Sequence, residues 1–175
     1  NNSYSNVLSS FFNVQFQKSI EELLITAIPP SLLLAGWVFG GMARGILFSI
    51  LVVIVSLPFA DLHVQNWSLT FFVIILTSIL FSIAGFLNAL FAESFDDVSI
   101  VPTFILTPLS YLGGIFYSID VLPEFWRTIS LGNPILYMVN ALRHGVLGSS
   151  DLSTMGMSVS FALLMISIFI FVLFL

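Results

Sequence analysis

"WSLTFFVIILTSILFSIAGFLNALFA", residues 67–92, runs for 26 residues without a formally charged side chain. At about 1.5 Å per helical residue, it is long enough to cross the roughly 30 Å hydrocarbon core of a bilayer. Ser78, Ser82, Gly85 and Ala89 recur along it at helical spacing. Small side chains let backbones approach closely, which is how helices associate in a solvent as apolar as leucine. The stretch reads as a membrane helix that packs against others.

The surrounding sequence extends this reading. Hydrophobic residues make up 58% of the 175 and charged residues 7%, against about 25% charged in a soluble domain. Three further stretches have spanning length: 32–60, interrupted only by Arg44, then 101–119 and 154–175, both without charge. The predicted fold is an all-α integral membrane protein, a polytopic bundle with about four full transmembrane helices and the end of another. Within 101–119, Pro102, Pro108 and Gly113-Gly114 predict a kinked or loosened helix. Such a helix survives in lipid only where neighbouring helices or water satisfy the freed backbone groups. In the first span, Gly36/Gly40 and Gly41/Gly45 form two consecutive GxxxG steps, read as ordinary packing with a dimer face as the alternative.

The connections differ in character. Residues 61–66 form a polar turn and 93–99 a short acidic one. Residues 120–153 hold two short amphipathic helices, "LPEFWRTISL" and "NPILYMVNALRHGVLG", divided by Gly132-Asn133-Pro134. Trp126 and Tyr137 suit the headgroup region. Earlier in the chain, "QFQKSIEELLITAIPP" (15–30) begins with a capping box, Ser19 to Glu22, and ends where Pro29 and Pro30 forbid continuation. The helix so defined, 18–28, has a charged start and an apolar body, and suits the membrane surface.

Arg44 is expected to form a structural ion pair with Glu93, Asp96 or Asp97, with a substrate contact as the alternative. The Asp96-Asp97 pair reads as a solvated acidic loop. A net charge of -5, with Lys18, Arg44, Arg127 and Arg143 as the basic residues, argues against a nucleic-acid partner. Absent cysteines remove thiolate chemistry, and His63 and His144 stand apart, so neither a metal nor a catalytic site is expected. The single lysine, Lys18, lacks the glycines of a phosphate-binding loop. Energy for uphill movement has to come from elsewhere. Both termini read as cuts, so the chain is expected to be a fragment.

At "KSIEELLITAIPP" and at "PTFILTPLSYLGGIFYSIDVLPEFWRTISLGNPILYMVNALRHG" the chain resembles the ABC-2 type ABC-transporter permeases, and among them bacterial inner-membrane ones. The resemblance implies six transmembrane helices per subunit, a second permease subunit (a homodimer being the simpler expectation) and separate ATP-binding subunits. ATP and magnesium would sit on that partner, leaving this chain without cofactor or catalytic residues. It implies a multi-pass protein of the bacterial inner (cytoplasmic) membrane, in contact with lipid, that exports a lipid, drug or glycan-type substrate by alternating access. Residues 1–17 would end the second helix, and 18–28 would be the coupling helix, gripping the ATPase through Lys18, Glu21 and Glu22. The four spans become helices three to six, and 120–153 the outer-side re-entrant helices. Substrate contacts are expected at the broken third span, around Thr107, Ser110 and Tyr111, and on the second span, 67–92. Lys18 and Arg44 on one side balance Arg127 and Arg143 on the other, so charge bias leaves orientation undecided. An ion-driven carrier would place acidic residues within spans, whereas all nine fall outside them. A non-catalytic scaffold leaves the broken span and the charged helix unexplained.

Overall fold

The first long apolar helix begins at Pro30 and stops at Ser56, short of residue 60, because Pro58 cannot continue it. This is a computed structural model, and it describes residues 1–16, 30–59, 64–115 and 121–148. The predicted 18–28 helix and 154–175 span lie outside the described residues. The elements, all helical among these residues, are α1 (Asn2–Phe16), α2 (Pro30–Ser56) and α3 (Trp67–Phe91). They continue with α4 (Phe95–Ile100), a π-helical turn (Val101–Leu106), α5 (Thr107–Leu112), α6 (Glu124–Leu131) and α7 (Pro134–Leu147).

The segments Leu32–Ser56 and Trp67–Phe91 are long and apolar enough to cross a membrane. Along α2 the outward side chains Leu47, Ile50, Leu51, Ile54 and Val55 are all exposed. Such a surface is stable against hydrocarbon and costly against water. The protein is a membrane protein.

Helices α1, α2 and α3 pack together through the small residues. A Cβ placed on Gly41 would strike the Ser82 hydroxyl, one on Gly45 the hydroxyls of Ser3 and Ser78, and one on Gly85 the Tyr4 carbonyl oxygen at 2.5 Å. The Gly41/Gly45 step therefore serves packing within the chain. Gly36 has open space around its Cα, and Gly40 only the Asn6 amide at 4.0 Å. These contacts fix the directions: α2 runs antiparallel to α1 and α3, which are parallel. Phe11 meets Trp37 edge-on at 5.9 Å and Phe86 at 4.6 Å, above a cluster of Tyr4, Leu8, Phe12, Ala89 and Ala92.

The same register separates Arg44 from its expected partners. Gly45 lies against Ser78 and Gly41 against Ser82, so Arg44 is level with about residue 79, roughly 21 Å along the axis from Glu93. Arg44 instead donates to the Asn6 side-chain oxygen at 2.9 Å. The predicted ion pair with Glu93, Asp96 or Asp97 is replaced by this neutral partner on α1.

The two ends of the bundle are distinct. At one, α1 finishes at Phe16, α2 begins at Pro30, and α3 gives way to the acidic turn at Glu93. At the other, the backbone N–H groups of Gln65 and Asn66 donate to the carbonyls of Val146 and Gly145, docking the end of α7 beside the head of α3. Those carbonyls are among the last of α7, which no intrahelical donor reaches.

Candidate functional site

The third predicted span, 101–119, is the most irregular part of the chain and the best explained. Its helical run starts at Phe95 rather than Val101, because Ser94 and Asp97 form a capping box. The Asp97 carboxylate accepts from the backbone N–H groups of Glu93 and Ser94 at 3.3 and 3.0 Å. Its bond with the Ser94 side chain comes first among the causes holding the carboxyl below its usual range. The acidic pair thus serves in part to begin a helix.

At Pro102 and at the Gly113-Gly114 pair the break frees a carbonyl, and a polar side chain fills it. Pro102 has no N–H to offer the Val98 carbonyl, and Asn88 of α3 donates its amide there at 3.3 Å. At the end of α5, the Gly113 N–H turns to Ser110 instead of Leu109. Asn133 donates to the abandoned Leu109 carbonyl at 2.6 Å. Gly114 adopts φ 70°, a left-handed conformation that glycine takes without a Cβ penalty. Its carbonyl accepts from the Arg143 guanidinium at 2.8 Å. Asn133 also caps α7, accepting from Ile135 N–H at 3.0 Å with Pro134 in the first turn. The GG…NP…R pattern is therefore a clamp: helices α6 and α7, divided at Gly132-Asn133, hold the broken tail of α5.

Beside this clamp lies a cavity of about 510 Å³ in the half of the bundle away from the acidic turn. Phe48, Val52, Ile74, Phe81, Met138 and Leu142 supply much of its apolar wall. Ser3, Ser49, Thr70, Thr77, Ser78 and Ser110 line it with hydroxyls, and Asn1 and Asn2 also border it. Of the substrate-pathway residues expected from sequence, Ser110 stands in this wall, while Thr107 and Tyr111 are exposed and do not. Thr107 donates to the Pro102 carbonyl at 2.9 Å, closing the π-turn. The sequence reading pointed to the second span, which supplies Thr70 and Thr77, without naming a residue on it, and did not name Asn88 or Ser49. A proline in a membrane helix is the signal that could have pointed to Asn88, since it requires a polar neighbour at its freed carbonyl. Lys18, Glu21 and Glu22 lie outside the described residues.

Apolar helices packed through small residues, around a broken helix whose carbonyls are repaired from side chains, define a membrane-embedded helical domain. The chain belongs to the ABC-2 type transporter family, whose membrane-domain model matches residues 1–147. Among its relatives is the inner membrane transport permease YadH of Escherichia coli (strain K12), 50% identical over 163 residues. That match covers 91% of this chain and 64% of YadH. Nodulation protein J of Rhizobium leguminosarum bv. viciae is 23% identical over 148 residues, covering 83% of this chain and 56% of that protein. The chain thus spans under two thirds of the length of these curated relatives. No solved structure matches it.

Proposed function

We propose that this chain is the membrane-spanning permease part of an ABC-2 type exporter of the bacterial inner membrane. It works by alternating access with a separate ATP-binding subunit and a second permease subunit. The observation that carries this reading is the two-ended bundle within an ABC-2 domain. The chain leaves α1 at Phe16 and enters α2 at Pro30, both at the acidic end, opposite the α6–α7 clamp. The 18–28 stretch is the part of the sequence that joins these two helix ends. That is the arrangement needed if 18–28 meets a cytoplasmic ATPase and α6–α7 closes the outer side. The name of YadH, an inner membrane transport permease, supports the same reading.

In this reading, ATP-driven closure of the partner pushes on 18–28 and shifts the bundle between two packings, a population shift driven by a ligand that favours one of them. The full-length protein, purified in mild detergent, is expected to bring an ATP-binding subunit with it in stoichiometric amount. Glu21→Lys with Glu22→Lys is expected to release that subunit or to leave ATP hydrolysis running without transport. A protein that purifies alone, or transport unchanged in the double variant, overturns the coupling assignment.

A further inference from the structure

We propose that Arg44 and the polar outer face of α1 form a binding site, at mid-depth in the membrane, for the oxyanion of a ligand: a phosphate or a carboxylate. The claim concerns what the membrane domain binds. It is tested without an ATP-binding subunit, so it stands or falls independently of the coupling reading. Arg44 lies about 21 Å from the start of α2 and about 18 Å from its end, level with the middle of α3. A guanidinium at that depth is costly unless water or a negative group answers it. The exposed Arg44 side chain donates to the neutral side-chain oxygen of Asn6 at 2.9 Å, and among the described residues no carboxylate pairs with it.

The face beside it is polar. Over residues 2–13, every side chain of α1 that is not buried is an amide or a hydroxyl: Asn2, Ser5, Asn6, Ser9, Ser10 and Asn13. They share an arc of about 140°, while Tyr4, Val7, Leu8, Phe11 and Phe12 are buried. Contacts from Phe11 at Trp37 to Ser3 at Gly45 set α1 beside the central turns of α2. Hydrocarbon cannot answer such a face, whereas water and a polar ligand can. Donors gather at Arg44. The guanidinium has five N–H groups and no acceptor, and the Asn6 amide nitrogen lies 4.0 Å from where a Gly40 Cβ would stand. Apart from that amide, the space at Gly40 is open. A phosphate or carboxylate can take two guanidinium N–H groups at once. A second copy of this chain is a poorer occupant. Across a two-fold axis it would bring another Arg44 to this face, and neither α1 nor α2 holds an acidic residue to answer it.

The test uses the full-length protein in phosphatidylcholine vesicles. The 175 residues hold no cysteine, so with any cysteine elsewhere replaced by serine, Ser9→Cys sets a single thiol one turn from Asn6. That thiol is expected to react with water-soluble methanethiosulfonates, whereas Ile50→Cys, on the lipid-facing side of α2, is not. Relative to their rates on a free thiol, the anionic sulfonatoethyl reagent should outpace the cationic trimethylammonium one roughly tenfold. Arg44→Gln is expected to abolish that preference and Arg44→Lys to keep it. Asn6→Asp keeps the shape and supplies a carboxylate to the guanidinium, so it should abolish the preference too; it decides the matter if Arg44→Gln fails to fold. A photoreactive dodecyl phosphate is then expected to label α1 and α2 peptides, with unlabelled dodecyl phosphate competing and roughly tenfold weaker binding in Arg44→Gln. Inorganic phosphate separates two sources of the same chemistry. Competition by it identifies a soluble anion, and competition by dodecyl phosphate alone identifies an anionic amphiphile; both support the site. A Ser9→Cys thiol that reacts with neither reagent, a disulfide joining two such chains, or rates or labelling that ignore Arg44 overturns it, and the face is then covered by protein or the charge answered elsewhere.

Discussion

At the scale of single residues, several polar side chains among the described residues answer backbone faults. Asn88 is the clearest case, since its amide satisfies the carbonyl that Pro102 abandons. Asn88→Leu keeps the volume and removes the donor. It is expected to cost about 1–3 kcal/mol, the penalty of an unpaired buried carbonyl, read as a lower Tm of the detergent-solubilised protein. The control is Asn88→Gln, which retains a donor and should lose less. The prolines were plain in the sequence, and so was the need to satisfy their freed carbonyls. The identity of the donor was not, because it depends on which residue of α3 faces α4. Arg44 shows the converse. Its rarity in an apolar span drew attention to acidic partners, but helix register, invisible without the structure, sets it beside Asn6.

At the scale of elements, the small-residue pattern of α2 and α3 was legible as packing, but among the described residues only one of the two consecutive GxxxG steps is in close contact. Gly85→Ala places a methyl 2.5 Å from the Tyr4 carbonyl oxygen, backbone that cannot swing away. Overpacking of this kind costs typically about 1–3 kcal/mol, and a measurable drop in Tm is expected. Gly36→Ala adds its methyl to open space and should leave Tm unchanged. An equal loss in both would mean that α1 does not seat against Gly85. Helix ends followed the rules of caps and breakers where these were read. The Gly132-Asn133-Pro134 division falls where α6 gives way to α7. The start of α4 is not in that reading, because Asp97 was taken with Asp96 as a solvated acidic loop and not with Ser94 as the serine-to-acid spacing noted at Ser19 and Glu22. The π-turn follows from Pro102 and Thr107 together and places Val101 and Leu106, five residues apart, against the same α1 cluster. In an unbroken α-helix those positions would diverge by about 140°.

At the scale of the whole molecule, the sequence conveyed a lipid-covered helix bundle but not which of its parts are joined. Arg143, counted as a flanking charge when orientation was weighed, is held by the Gly114 carbonyl, so its position reflects the clamp as well as any preference for one side of the membrane. More follows from the docking of α7. Its first half grips the tail of α5 through Asn133 and Ile135, and Arg143 adds a third hold. Its last carbonyls are gripped by the N–H groups at the head of α3. Helix α7 is therefore a yoke, and α5 and the head of α3 are harnessed to it. If transport is driven as proposed, a stroke from the acidic end is expected to move the two together and to be taken up at the π-turn. Spin labels at Ser68 and Tyr111 are expected to keep their separation when the proposed ATP-binding partner is loaded with nucleotide, while a pair at Ser68 and Asp96 changes. If the first pair parts as well, the yoke has slipped, and the drive reaches the cavity by another route.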